Sequence, residues 1–179
     1  MRWALALAVV ALAVAVPVAD AQAPDYTIQA TGSKTSLGKV SAIGPYKLDT
    51  EPSLEDATAA LGQPSSRAQT MSSCLTGWRN LGLRINFTNF GGGDSCQFGK
   101  VQTVRAFGKI WKTSRGLAVG ASVRTLRKLY PGAHRKGRTY RLIGAKSIFT
   151  DGSRYSVLAA KTNGKRVTSF KLFVGAAGE

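Results

Sequence analysis

The sequence predicts an α+β fold of two related units, each a short helix followed by about three or four antiparallel strands. Three observations predict it. Two short amphipathic segments begin on serine and stop on glycine or proline. Segments of alternating apolar and polar residues follow each of them. An Asn-Gly pair joins the last two of those segments.

The first helix reads Ser53-Leu54-Glu55-Asp56-Ala57-Thr58-Ala59-Ala60-Leu61-Gly62. Ser53 suits the N-cap, because its hydroxyl accepts from N–H groups that the first turn leaves unpaired. Glu55 and Asp56 complement the positive end of the helix dipole, and Gly62 is a stop. Leu54, Ala57, Ala60 and Leu61 recur at helical spacing and form one apolar face. With Ser122 set over Ser53, Val123, Leu126, Leu129 and Tyr130 fall on those four positions. Pro131-Gly132 ends the second helix at once.

Strands follow each helix. In the first half they are Cys74–Trp78, Leu83–Thr88 and Val101–Phe107. Leu83, Ile85 and Phe87 alternate with Arg84, Asn86 and Thr88, which is the pattern of a half-buried strand. In the second half they are Thr139–Ile143, Arg154–Lys161 and Val167–Val174. Asn163-Gly164 predicts a two-residue hairpin with Thr162 opposite Lys165. That register sets Val157 against Phe170, Tyr155 against Leu172 and Ala159 against Thr168. The closing strands also align: Val104, Ala106 and Phe107 match Phe170, Leu172 and Phe173 after a one-residue gap. Residues 22–40 are polar and predict an extended lead-in with one short edge strand around Tyr26–Gln29. The first unit is then 41–112 and the second 113–179.

Residues 1–21 read as a signal peptide. An apolar run from Trp3 to Val18 follows Arg2, and Ala19-Asp20-Ala21 has the small-x-small form of a cleavage site. Cleavage after Ala21 leaves Gln22 first. The alternative is an uncleaved anchor, but the run falls short of the ~20 residues of a bilayer span. No later stretch reads as a transmembrane span. Export to the cell-envelope exterior sets an oxidising compartment, where Cys74 and Cys96, the only two cysteines, are expected to pair. The bridge would close a loop of roughly 20 residues, worth about 3 kcal/mol.

The inventory excludes most chemistry. One histidine and two cysteines leave no metal cage, and no cofactor or catalytic residue is expected. A thiol nucleophile would need His134, which reads as a solvated residue among cations. A serine nucleophile would need a G-x-S-x-G elbow, and none is present. Gly91-Gly92-Gly93 lacks the Lys-Ser/Thr of a phosphate loop. Glu55 and Asp56 serve the helix dipole, while Asp94 and Asp151 sit beside glycine as turn residues. Trp78 and Trp111 read as core or sheet-edge aromatics.

Charge is the strongest functional signal. The chain carries a formal net charge of +16. Residues 22–99 hold six basic and six acidic groups, whereas 100–179 hold eighteen basic and two acidic. The excess is densest at Arg124, Arg127, Lys128, Arg135, Lys136, Arg138, Arg141 and Lys146, the candidate anion-binding residues. Arg124, Arg127 and Lys128 share the outer face of the second helix. Such a field captures polyanions: lipid head groups, wall polymers, free nucleic acid or an acidic protein. No motif points to sequence-specific nucleic-acid reading.

Tandem units of this kind resemble the beta-lactamase inhibitor protein fold and the related small outer-membrane assembly lipoproteins (SmpA/OmlA). The likeness rests on Ser53–Pro64 and on Gly116–Pro131, where Gly116, Gly120, Ser122, Leu126, Tyr130 and Pro131 fit a shape common in such units. The resemblance implies a fold and a non-catalytic role. It carries no functional residues over, because the lipid-anchored cysteine of the assembly proteins is missing and the sheet is basic. The expected function is a secreted binding or interaction module whose basic second half engages an anionic envelope component or an acidic protein. The alternative is an envelope hydrolase, which would show two carboxylates across a cleft or a Ser-Lys contact.

Overall fold

The computed structural model describes residues 24–32, 39–48, 52–146 and 154–174. The leader 1–21 with its cleavage site, and Asp49, Glu51, Asp151 and Glu179, lie outside the described residues. The described chain is sheet-rich, with two sheets and two short helices.

The polar N-terminal stretch contributes to the smaller sheet. Strands β1 (Thr27–Thr31), β2 (Lys39–Ile43) and β3 (Tyr46–Lys47) pair antiparallel in sequence order. The strand expected around Tyr26–Gln29 is β1, but it is interior to its sheet. Its free side pairs in parallel with Lys112–Thr113, numbered β8 below. Ile28 and Ala30 alternate inward from β1, which gives this polar segment an apolar side to bury.

Helix α1 spans Leu54–Leu61 and helix α2 spans Val123–Leu129. Ser53 Oγ accepts from the Asp56 N–H, and the Asp56 carboxylate accepts from the Ser53 N–H. This reciprocal pairing satisfies two orphan donors. The Ser53 hydroxyl also donates to the Asp56 carboxylate at 2.6 Å, and this bond, with the one from the Ser53 N–H, holds the Asp56 carboxyl below its ordinary range. Ser122 Oγ accepts from the Thr125 N–H at the start of α2. Leu54 and Ala57 of α1, and Leu126 of α2, are buried.

The larger sheet has eight antiparallel strands. β4 (Ser66–Gln69), β5 (Ser73–Trp78), β6 (Leu83–Thr88) and β7 (Lys100–Ala106) are successive neighbours. β9 (His134–Lys136), β10 (Thr139–Lys146), β11 (Arg154–Thr162) and β12 (Val167–Phe173) are likewise. The order is β4-β5-β6-β7-β12-β11-β10-β9, so the last strand of each run meets the other in the middle. Ala106 pairs with Phe170 and Val104 with Leu172 at that junction.

The β11–β12 hairpin corrects the expected register. Thr162 pairs with Val167, and Asn163–Arg166 form a four-residue loop. The Asn163 Oδ1 accepts from both the Lys165 and Arg166 N–H groups. A side chain thereby takes up donors that would otherwise face the partner strand, so a two-residue turn does not form. A bulge between Lys161 and Thr162 then sets Ala160 opposite Phe170 and Leu158 opposite Leu172. The shift is odd, so Leu158 and Ala160 turn to the core while Tyr155 and Ala159 line the other face; Val157 stays buried in the same cluster.

The core joins both helices to one face of the large sheet. Leu54, Ala57 and Leu126 share a cluster with Leu83, Ile85, Phe87, Val104, Phe170 and Leu172. Trp78 and Trp111 are fully buried. Their indole N–H groups donate to the Gly62 and Leu81 carbonyls, each at 2.7 Å.

Cys74 and Cys96 are bridged, with S–S 2.04 Å and Cα–Cα 5.0 Å. The bridge ties β5 to the loop between β6 and β7. Asp94 organises that loop: its Oδ1 accepts from the Cys96 and Gln97 N–H groups and from Gln69 Nε2. Reduction is expected to lower unfolding stability by about 3 kcal/mol. Urea titrations with and without reductant measure this, and coincident curves would refute it.

Candidate binding face

The strands of the large sheet alternate strictly enough to give it two unlike faces. Leu83, Ile85, Val104, Ala106, Phe170 and Leu172 turn to the core. Their neighbours Arg84, Arg105 and Lys171 turn the other way and are exposed. Pairing aligns these cations across the strands. Arg84 lies opposite Arg105, and Arg105 opposite Lys171. Lys171 then lies opposite Ala159, Ala159 opposite Arg141, and Arg141 opposite His134. At a strand spacing of about 4.8 Å, the row from β6 to β9 extends about 24 Å.

Two adjoining depressions occupy this face. One is lined by Leu75, Arg84, Asn86, Arg105 and Lys161 among others. The second is lined by His134, Lys136, Arg141, Tyr155 and Phe173 among others. Thr139, Ala159 and Lys171 border both. Ala159, 6% exposed, leaves a low step between the cations of β12 and β10. Tyr155 and Phe173 pack edge-on with centroids 5.6 Å apart. Burial pushes the Tyr155 phenol above its ordinary value, so it remains a neutral hydrogen-bond donor. The nearby Ser156 Oγ is buried without a hydrogen-bond partner. Arg141 lies along the backbone at Gly144, where an added Cβ would come within 3.2 Å of its Cδ.

The field on this face is of one sign among the described residues. Asp25 precedes β1 and pairs with Lys112 at 3.3 Å. Glu55 and Asp56 are in α1, and Asp94 is in the β6–β7 loop. These four described carboxylates are thus held apart, and three of them have structural partners. Ser73 is hydrogen-bonded to Thr70. Among the described residues there is no cluster of three or more His, Cys, Asp or Glu that could hold a metal. No helix among them is long and apolar enough to cross a membrane.

The sequence-derived cations separate onto different surfaces. Arg124, Arg127 and Lys128 are exposed on α2. Leu126 anchors that helix to the core, so its outer side looks away from the open sheet face. Arg135 is exposed on β9 and lies over the Tyr140 ring, 5.8 Å from its centroid. Arg138 is exposed in the β9–β10 turn, and its carbonyl accepts from the Thr162 N–H. Lys146 ends β10. Among those whose side chains are described, Lys136 and Arg141 line the open face. The residues that composition missed are Arg84, Arg105, Lys161, Lys171 and His134. For Arg84, Arg105 and Lys171 the available signal was their place between apolar strand neighbours, as in Val104-Arg105-Ala106 and Phe170-Lys171-Leu172.

No protein-family model matches the chain, and no curated protein matches it in sequence. One solved structure with some similarity is an extracellular protein containing a SCP domain from Bacillus anthracis str. Ames. It is 12% identical, with a TM-score of 0.38. The match covers 70% of this chain and 46% of that one, so the chain spans less than half of that protein's length.

Proposed function

We propose that this is an exported, non-catalytic binding module that holds an anionic partner against the open face of its large sheet. The row Arg84–Arg105–Lys171–Arg141 carries the reading. It aligns four cations from four strands with no described carboxylate between them. A concave, single-sign surface focuses the field and raises the capture rate of anions. The disulfide supports export, since such bridges persist in oxidising compartments. The finer layout is part of the proposal: two related helix-plus-sheet units, as in the beta-lactamase inhibitor protein resemblance, meeting at β7 and β12. Two serine-capped helices, each preceding a run of four strands, support it.

The test sets two groups of cations against each other. Arg84, Arg105, Lys171 and Arg141 are changed to Gln in one variant, and Arg124, Arg127 and Lys128 in another. The first variant is expected to lose at least about tenfold in affinity for a soluble polyanion such as polygalacturonate, on the order of 1.4 kcal/mol. The second should lose only what its smaller net charge dictates. Equal loss per charge removed would assign the effect to net charge alone. Loss confined to the α2 variant would move the site to the helix.

A further inference from the structure

Arg84, Arg105 and Lys171 stand directly opposite one another on neighbouring strands. Like charges in that arrangement destabilise a sheet. Arg84 finds partial compensation over the Phe107 ring, at 5.9 Å. Among the described residues, neither the Arg105 nor the Lys171 side chain forms an ion pair or hydrogen bond. A fold that tolerates this repulsion has arranged cations where a ligand, rather than the protein, supplies the opposite charge.

We propose that the ligand is a linear carboxylated polysaccharide, lying across the strands along this row with successive sugars over successive strands. The inference rests on the binding-face reading above and adds the ligand's class and direction. Arg84, Arg105 and Lys171 step by about one strand spacing, ~4.8 Å, and Arg141 follows two spacings on, past Ala159. A hexuronate chain presents one carboxylate per sugar, so its charge is spread along its length as these cations are spread across the strands. Between the cations the depression is lined by amide and hydroxyl residues, Asn86, Thr103, Thr139 and Ser169. Those groups suit sugar hydroxyls. Single-stranded nucleic acid fits less well, because it is held by a series of stacked aromatic platforms. The aromatic pair here, Tyr155 and Phe173, packs edge-to-face within itself at one end of the row.

Galacturonate oligomers of increasing length, titrated calorimetrically into the intact protein at ~0.15 M salt, test this. Affinity should climb with each sugar until the chain reaches from Arg84 to Arg141, about five sugars, and then level off. A trimer binding as tightly as an octamer would overturn the lengthwise placement and leave the anionic face standing. An oligothymidylate of matched length binding more tightly at the same salt would overturn the polysaccharide assignment. Failure to bind any of these anions would remove the underlying reading as well. Arg105→Gln supplies a second, independent readout. It should weaken the octamer about threefold and raise the thermal midpoint, because it relieves repulsion on both sides. A lowered midpoint with unchanged affinity would make Arg105 a structural residue and defeat the proposal.

Discussion

Gly82→Ala is expected to destabilise the protein by about 3–5 kcal/mol, through backbone strain and a backbone clash together. Gly82 sits at φ +57°, where an L side chain is disfavoured. A Cβ there would also lie 2.4 Å from the Gly108 nitrogen and 2.5 Å from its Cα. Gly108 is equally confined, since its own added Cβ would lie 2.3 Å from the Leu81 oxygen. The two backbones press together because the Phe107 and Gly108 N–H groups both donate to the Gly82 carbonyl. Neither partner can give way without breaking those bonds. Equilibrium urea unfolding measures the loss, and a change under about 1 kcal/mol would contradict the packing described.

Trp111→Ala should cost a similar amount, about 3–5 kcal/mol for the lost packing alone. The indole is fully buried and packs edge-on against Tyr26, with centroids 5.2 Å apart. It connects the small sheet, through Tyr26, to the turn before β6, through the Leu81 carbonyl. Truncation leaves that carbonyl unpaired, which adds about 1–3 kcal/mol. Trp111→Phe separates the two contributions: it keeps most of the apolar volume and removes the donor. Its expected loss is the smaller, polar part. Equal losses for Ala and Phe would mean that packing at Trp111 contributes little.

Local elements were legible because their signals are local. Ser53 with Asp56, and Ser122 with the apolar positions of α2, encode helix starts within one turn of chain. Leu83, Ile85 and Phe87 encode an inward face within one strand. The disulfide followed from compartment and count. Register was less accessible, because Asn163 uses its side chain in a way that the Asn-Gly pair does not announce. The row of cations was legible least of all. Arg84 and Lys171 are far apart in sequence, and counting charges by segment assigned Arg84 to a neutral half. Only the meeting of β7 with β12 places them on one surface, and that pairing was not specified by either strand alone.

The same junction bears on how the chain reaches its native state. β4 through β7 can pair one after another from neighbouring segments, and so can β9 through β12. Joining β7 to β12 requires the intervening chain, with β8, α2 and three strands, to be closed into a loop first. Loop-closure entropy is lost before such a contact is rewarded, which slows folding as contact order rises. The central hydrogen-bonded pair of the sheet therefore carries the longest-range closure of its eight strands. Changes at Val104, Ala106, Phe170 or Leu172 that weaken this pair act on the step that unites the two runs, while each run keeps its own neighbour-to-neighbour pairing.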